Sequence, residues 1–487
     1  MKVLFIKSTI NSTTARADFG IGSISAVLKK HNHQTNLFVV RNWDSIPFLK
    51  KRISLFDPDI LAFSTYASSF QSTVRISNVL RKSYPKLLQV MGGIHLILNP
   101  MEIRHAPSID AVCVGEGESA LLEFMKNYSK GKNEHLYTKG FWTRKSKRII
   151  TNPTVPFLKE IESLPFPDRD IFISEGLSFG DFENNKKNYL DFLFTRGCPF
   201  ACSYCSNHAL RRTYGHDNYI RRMSPKRAIA WIKHDLTRYT CDYINILDDI
   251  FTLDRKWTEE FLTLYETIRM PFICHLRVGT FDKRILGKMK KAGCVAVSIG
   301  VESGDEQLRT KVLKRGMTND QLVQSFKWAK DLKLKRSVFL MIGLPTENRE
   351  RWLKTIRLVA RLMPVRFILN TFYPYPGTEL YTLTRKLGFL KKKQKWDYVE
   401  GIETILSMPN FSGRDILYFR ENMTEMVTQA MPAKNILRQC HYRIRFNLLS
   451  IPPSSGWFKL SQIFVSIDYF LFKFIRICPG YLLRKFI

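Results

Sequence analysis

The sequence predicts an α/β protein built from a doubly wound, Rossmann-like parallel sheet, then a partial (β/α)6 TIM-like barrel, then a mainly helical carboxyl-terminal region. Three observations lead there. Short apolar runs alternate with amphipathic stretches over the first 135 residues. Six more strand–helix units follow between Tyr189 and about Gly388. Beyond them the chain turns basic and aromatic. The boundaries expected are 1–135 for the first unit, 136–185 for a connector, 186–390 for the barrel and 391–487 for the tail.

In the first unit, Val3–Ile6 reads as a strand, Ile21–Lys30 as a helix and Thr35–Val40 as a strand. Asp59–Ser64 is a fully apolar strand, Gln71–Ser83 a helix, Leu87–Met91 and Ala111–Val114 strands, and Ser119–Tyr128 a closing helix. Alternation of this kind implies a parallel sheet with helices on both faces. Ligands on such sheets sit at the carboxyl ends of the strands. The glycines gather there, with Gly20 and Gly22 after the first strand, Gly92-Gly93 after the fourth, and Gly115 and Gly117 after the fifth. Glycine pairs admit close backbone approach, although tight turns explain them equally well. The connector is basic over Lys139–Arg148 and proline-spaced over Ile150–Pro167, which favours extended chain.

The barrel opens on the apolar run Tyr189–Phe194 and the loop Thr195-Arg-Gly-Cys-Pro-Phe-Ala-Cys-Ser-Tyr-Cys-Ser206. Three of the nine cysteines, Cys198, Cys202 and Cys205, fall within it. Gly197 and Pro199 break the strand, so the thiols sit just past its end. Three thiolates on one loop suit a metal. An iron–sulfur cube held by three cysteines leaves one iron for an outside ligand. Zinc is the rival, because His208 would complete a Cys3His set. A disulfide is disfavoured, since nothing marks the chain as secreted.

Further strands follow at Tyr243–Leu247, Phe272–Arg277, Val295–Val301, Ser337–Ile342 and Arg366–Thr371. Helices separate them, among them one starting at Ser224-Pro225 and Trp257–Arg269, Lys283–Ala292, Thr318–Leu332 and Arg349–Leu362. Barrels of this class carry their chemistry at the carboxyl ends of the strands. The cysteines, Asp248, Asp249, Arg277, Glu302 and Glu379 all fall at those ends.

Cys-x3-Cys-x2-Cys with Tyr204 before the last cysteine, followed by these repeats, resembles the radical S-adenosylmethionine (SAM) superfamily. The resemblance implies a [4Fe–4S] cluster on Cys198, Cys202 and Cys205, with SAM chelating the fourth iron and being cleaved reductively to a 5′-deoxyadenosyl radical. It implies that Tyr204, Asp248, Asp249, Arg277 and Glu302 face SAM. A reduction of that kind implies an electron donor such as a flavodoxin or ferredoxin. The competing reading for each charged residue is a helix cap or a surface ion pair, and Asp248 precedes the helix at Trp257.

Phe19-Gly-Ile-Gly-Ser23, Ser64-Thr65, Gly92-Gly-Ile-His95 and Gly115-Glu-Gly-Glu118 resemble the cobalamin-binding domain joined to one radical SAM subfamily. That implies cobalamin, with Ser64, Thr65, Gly92, Gly93, His95, Gly115 and Glu116 bordering it. Many cobalamin domains have Asp-x-His-x-x-Gly after the first strand. Here the loop from Ser8 to Gly20 has Asp18 and no histidine, so cobalt is expected to lack that ligand. His95 is read as a local hydrogen-bonding residue.

The formal net charge of +33 over 487 residues implies an anionic environment, an anionic partner or a lysine-rich solvated surface. Met1–Ile6 turns polar too quickly for a signal peptide, and no run of eighteen uncharged apolar residues occurs. A cytoplasmic location follows as the expectation. From Met431 to Ile487, nine Lys and Arg and eleven aromatics stand against one acid, Asp468. That suits either the inner face of an anionic membrane, reached peripherally, or a helical cap on the barrel. Nucleic acid is disfavoured, because the aromatics lie among aliphatics.

The expected activity is methylation or carbon-skeleton modification of a small or lipid-like substrate at an unactivated carbon. A radical rearrangement or cyclisation without methyl transfer is the alternative. A tRNA-modifying methylthiotransferase would carry a second cluster on amino-terminal cysteines, and only Cys113 lies within residues 1–135. A cofactor-free scaffold leaves the triple cysteine unexplained.

Overall fold

The computed structural model describes residues 1–10, 17–177, 181–182, 187–214, 219–390 and 402–431. The first sheet contains β1 (Lys2–Ser8), β2 (Gln34–Val40), β3 (Ile60–Ser64), β4 (Leu88–Gly92), β5 (Ala111–Cys113), β6 (Phe141–Lys145) and β7 (Arg148–Thr151). Its order is β2-β1-β3-β4-β5-β6-β7, with β1 to β5 parallel. Val3, Phe5, Ile60 and Ala62 pack into one apolar layer, while Leu4, Ile6, Leu61 and Phe63 pack into the other. That is the period-two alternation of a sheet buried on both faces.

The segment read as an extended connector supplies β6 and β7, which pair antiparallel on the edge of this sheet. The turn between them rests on Ser146 at φ +55°, a left-handed residue that carries no glycine signature. The hairpin is therefore set by its pairing with β5.

The second sheet contains β8 (Asp181–Phe182) and β9 (Lys187–Phe192) and, beyond a short antiparallel pair of β10 (Thr195–Arg196) with β11 (Arg221–Arg222), continues with β12 (Tyr243–Ile246), β13 (Phe272–Leu276), β14 (Cys294–Glu302), β15 (Lys335–Ile342) and β16 (Arg366–Thr371). The order is β16-β15-β14-β13-β12-β9-β8, a partial barrel whose six long strands run parallel. Helices cover its outside, and Trp231 and Trp352 are fully buried beneath them. Ser224 accepts from Arg227 N with Pro225 in the first turn, and Asp254 accepts from Trp257 N. Asp254, not Asp248, is thus the cap of the helix that holds Trp257.

Two buried ion pairs lock the outer layers. Arg169 Nε lies 2.6 Å from Asp235, with its guanidinium over Phe192 and Trp231. Arg349 pairs with Asp415 at 2.5 Å, pinning the helix Gly413–Ala430 to the helix Arg349–Leu362. The basic aromatic tail, apart from Met431, lies outside the described residues, as does Lys391–Lys393. Among the described residues, no helix is long and apolar enough to cross a membrane.

Candidate functional site

The sequence ran its first barrel strand to Phe194, but the chain leaves the ladder after Phe192. The cause is Asp248, which is fully buried. Its Oδ1 accepts from Phe194 N (2.7 Å) and Thr195 N (3.3 Å), and its Oδ2 accepts from Thr195 Oγ1 (2.5 Å). Burial pushes its carboxyl up to about 6, against the pull of Thr195 and Arg222. Both oxygens of Asp248, expected from the resemblance to face SAM, accept hydrogen bonds that turn the chain into the cysteine loop. Asp249 is exposed beside the loop and accepts from Asn207 Nδ2 (2.9 Å).

Gly197 makes the turn at φ +89°, where a Cβ would stand 2.4 Å from Tyr219 O. Cys202 is buried, Cys198 and Cys205 half-buried. Cys205 N donates to Cys202 O (3.1 Å), and the helix Ser206–Tyr214 starts at once. Burial pushes the Cys205 thiol up to about 12, with Asp249 and the two other sulfurs adding to the rise. Among the described residues, no set of three or more Cys, His, Asp or Glu side chains is closed around a metal position. The loop supplies the donors without a preformed cage. Two cations face the sulfurs, since Arg277 NH1 lies 3.5 Å and Arg315 NH1 3.7 Å from Cys202 Sγ. Two guanidiniums beside three sulfur donors fit an anionic iron–sulfur group. His208, the fourth member of the Cys3His alternative, bonds Glu379 Oε1 through Nε2 at 2.9 Å, and its buried Nδ1 has no hydrogen-bond partner among the described residues. Glu379 is also held by Lys314 at 2.5 Å.

A polar floor surrounds this loop. A register shift in β14 between Gly300 and Glu302 puts Glu302 at φ +66°. Burial raises its carboxyl, although Arg315, Tyr204 and Arg277 all oppose the rise. Arg315 NH1 donates to Tyr204 Oη (3.1 Å) and NH2 to Gly300 O (2.7 Å), with Glu302 Oε1 at 3.9 Å. Gly300 leaves room for both groups, since a Cβ there would stand 2.7 Å from Glu302 Oε1 and 2.8 Å from Arg315 NH2. Arg277 covers the Phe200 ring at 3.8 Å. Sequence reasoning missed Arg315. It follows a single π-turn, Leu308–Val312, held by the buried Arg309 through Ser303 O and Met317 O. Nothing in the local pattern announces that turn.

The carboxyl edge of the first sheet faces this loop across a cavity of about 360 Å³. Ser64, Gly92, Gly93, Gly115 and Glu116 line it from the sheet, Leu193 and Arg196 from the barrel. Gly93 has φ +114°, and a Cβ would stand 2.2 Å from Thr65 O. Asp18 caps the following helix through Gly20 N (2.9 Å) and Ile21 N (3.3 Å) and also accepts from Ser64 Oγ (3.1 Å). This glycine-walled, mainly apolar cradle fits the tail of a large planar cofactor. Thr65, expected from the resemblance beside Ser64, does not line this cavity. It is fully buried, with its hydroxyl turned to Tyr66 O (3.1 Å) and Ser69 (3.2 Å). Glu116 is also engaged elsewhere. Arg196 NH1 (2.9 Å) and Arg221 NH1 (2.7 Å) both reach it, and Arg196 NH2 reaches Glu118 (2.6 Å). Burial alone would raise Glu116, and these two guanidiniums hold it below the usual carboxylate range. Arg196, two residues before Cys198, thereby ties the cysteine loop to the edge of the first sheet.

His95 is buried against Phe70 at 4.7 Å, and its Nε2 has no hydrogen-bond partner in the described structure. The local hydrogen bond expected for it is not made through that nitrogen. It lines a second cavity with Tyr66, Ala67 and Leu98, closed from the barrel side by Ser206 and Tyr375.

Comparison with known proteins agrees with this arrangement. Residues 192–359 match the Radical SAM superfamily and residues 10–125 the B12 binding domain. The uncharacterized methyltransferase PH0819 of Pyrococcus horikoshii is 27% identical over 380 residues, covering 76% of this chain and 78% of its own length. The anaerobic magnesium-protoporphyrin IX monomethyl ester cyclase of Rubrivivax gelatinosus is 23% identical over 396 residues, covering 78% of this chain and 69% of its own. Among solved structures, the cobalamin-dependent SAM radical enzyme OxsB, with aqua-cobalamin and SAM bound, superposes with a TM-score of 0.69 at 15% identity. It covers 98% of this chain and 75% of OxsB, which establishes the fold.

Proposed function

We propose that this chain, which belongs to the radical SAM superfamily and carries an amino-terminal B12-binding domain, is a cobalamin-dependent methyltransferase acting at an unactivated carbon. The observation that carries the reading is the juxtaposition made by Arg196. It places the cysteine loop and the glycine-walled edge on opposite sides of one interior space. The bound groups would supply a carbon-centred radical and a transferable methyl group. The chain's own residues would hold and position them. Cys198, Cys202 and Cys205 would hold the cluster. Glu302 and Arg277, with Tyr204 and Arg315 behind them, would orient SAM's polar groups. Gly92, Gly93 and Ser64 would admit the cobalamin tail. Asp249, exposed beside the loop and holding Asn207 through one oxygen, would offer its other oxygen to an ammonium there.

The similarity to a methyltransferase supports methyl transfer, and the similarity to a cyclase keeps a second reading in view, a radical cyclisation without methyl transfer. The acceptor is a small molecule on either reading. Anaerobic reconstitution with iron, sulfide and cobalamin, followed by incubation with SAM and dithionite as the one-electron reductant, separates the two. Methyl transfer predicts 5′-deoxyadenosine and S-adenosylhomocysteine together when a cell extract supplies the acceptor, with deuterium from methyl-labelled SAM in the product. Deoxyadenosine with unlabelled product supports the cyclase reading, and no deoxyadenosine at all defeats both.

A further inference from the structure

The six long strands of the barrel run parallel, so the loops that enter them gather at the end away from the cysteine loop. These entry loops are basic. Arg269 precedes β13, Lys290 precedes β14, Lys330, Lys333 and Lys335 lead into β15, and Arg366 opens β16, all of them exposed. Strand pairing holds them in one surface. Lys335 sits opposite Ala296 on β14, and Arg366 opposite Ser337 on β15. The half-buried Arg336 donates to Leu334 O (2.9 Å) and Met363 O (3.0 Å), and Val365 N donates to Arg336 O (2.8 Å), which staples the loops before β15 and β16 together. Among the described residues of these loops the carboxylates are Asp242, Glu266 and Asp331. Asp242 accepts from Asn188 N (2.9 Å) and Glu266 pairs with Lys291 (3.1 Å), which leaves Asp331 to face the cations.

Two aliphatic side chains are set among these charges, Met363 at 39% and Val365 at 56% exposure. Three turns at this end rest on left-handed residues, Arg269 at φ +57°, Lys333 at +54° and Met363 at +46°. Glycine takes that conformation without steric cost and is the usual residue there. Two cations and an exposed thioether stand in its place, so the side chains are kept against a backbone penalty.

We propose that this end of the barrel docks on an anionic lipid surface, an interaction that goes beyond the methyl-transfer reading and does not depend on it. Charge complementarity gives the sign of the partner, because a concentration of like charge repels itself until an anionic surface meets it. The apolar residues give its kind. Lysine stems with Met363 and Val365 between them suit the boundary of headgroups and acyl chains, where the charges stay in water and the aliphatic parts do not. Single-stranded nucleic acid is met instead by aromatic side chains on which bases stack. The docked face lies at the opposite end of the strands from Cys198, Cys202 and Cys205, so docking leaves the cysteine loop uncovered.

The test floats the full-length reconstituted enzyme with vesicles of phosphatidylcholine alone and of phosphatidylcholine mixed with phosphatidylglycerol. Wild type should partition to the mixed vesicles at low salt and not to the neutral ones. Lys330→Gln, Lys333→Gln and Arg366→Gln together should lower that partition at least about tenfold, since each basic residue near an anionic surface is worth about fivefold. Lys51→Gln, Lys82→Gln and Lys86→Gln remove the same charge from exposed positions on the first unit and should change it no more than about twofold. Lys330→Arg, Lys333→Arg and Arg366→Lys keep the charge and should bind like wild type, which separates lost docking from a lost fold. Met363→Ser with Val365→Ser should weaken the binding that persists near 0.5 M salt, where charge is screened over a few ångströms. Wild type that ignores the mixed vesicles at low salt overturns the proposal. So does an equal loss in either of the other two triples, or no loss in the first. A serine pair without effect at high salt assigns the face to a polyanion other than lipid and equally overturns it. The same holds for glutamines that abolish binding to RNA or to an acidic protein and leave vesicle binding intact.

Discussion

Replacing Asp248 distinguishes a residue that builds the site from one that binds within it. In the folded chain its carboxylate accepts two backbone N–H groups and the Thr195 hydroxyl, with no exposure to solvent. Asp248→Ala leaves Phe194 N and Thr195 N without acceptors in the interior. An orphaned buried donor costs about 1–3 kcal/mol, so two cost about 2–6 kcal/mol. The Thr195 hydroxyl still accepts from Arg222 Nε at 2.6 Å, but its own O–H also loses its acceptor and adds to that cost. Asp248→Asn keeps one oxygen for the two N–H groups and turns its NH2 toward Thr195, a donor facing a hydroxyl that can accept. It also removes a carboxylate whose buried position disfavours its charge, and with it the partner of Arg222 at 3.9 Å. The asparagine variant should therefore lose about 1 kcal/mol or less. Thermal unfolding of the reconstituted protein ranks the two, and isothermal titration gives SAM affinity. The expected result is Ala far less stable than Asn, with Asn binding SAM within about twofold of wild type. If asparagine leaves the melting temperature unchanged and weakens SAM tenfold, the carboxylate is a SAM ligand and the structural argument fails.

Glu302→Ala should weaken SAM about 10- to 100-fold while the visible absorption of the cluster persists, because a charged hydrogen bond contributes about 1.5–3 kcal/mol; unchanged affinity would remove Glu302 from the site. Gly93→Ala should destabilise the first sheet and abolish cobalamin retention on gel filtration, since its Cβ would overlap Thr65 O at 2.2 Å in a left-handed conformation; a variant that folds and retains cobalamin contradicts the close approach. Glu347 is buried, accepts from Gly343 N (2.7 Å) and Leu344 N (3.2 Å), and is pushed by burial up to about 8. Its carboxyl binds its proton more tightly in the folded chain, so its stabilising contribution is complete below about pH 4.5 and is lost as pH rises toward 8. Glu347→Gln should flatten the loss of stability between those limits in urea unfolding, and a steeper slope would refute the assignment.

The period of the apolar residues, the glycine positions and the three cysteines determined both parallel sheets, their order of appearance and the loop that carries the chemistry. Those features are local. A buried parallel strand must be apolar on both faces, and Gly197 and Gly93 mark left-handed turns at strand ends that a sequence shows as glycine. Tertiary structure alone decided which charges face the site. Asp248, Glu116 and Glu302 look alike in the sequence, as acids just beyond strands. Asp248 is spent on backbone amides 54 and 53 residues away, and Glu116 on guanidiniums 80 and 105 residues away, while Glu302 is swung into the site by a bulge. Arg315 reaches Cys202 across 113 residues, through a π-turn whose fold depends on the buried Arg309. The hairpin β6–β7 was likewise hidden, because its strands gain their identity from the β5 edge they complete. Such pairings are made between distant segments, and a residue's charge and near neighbours in the chain do not record which partner it will meet.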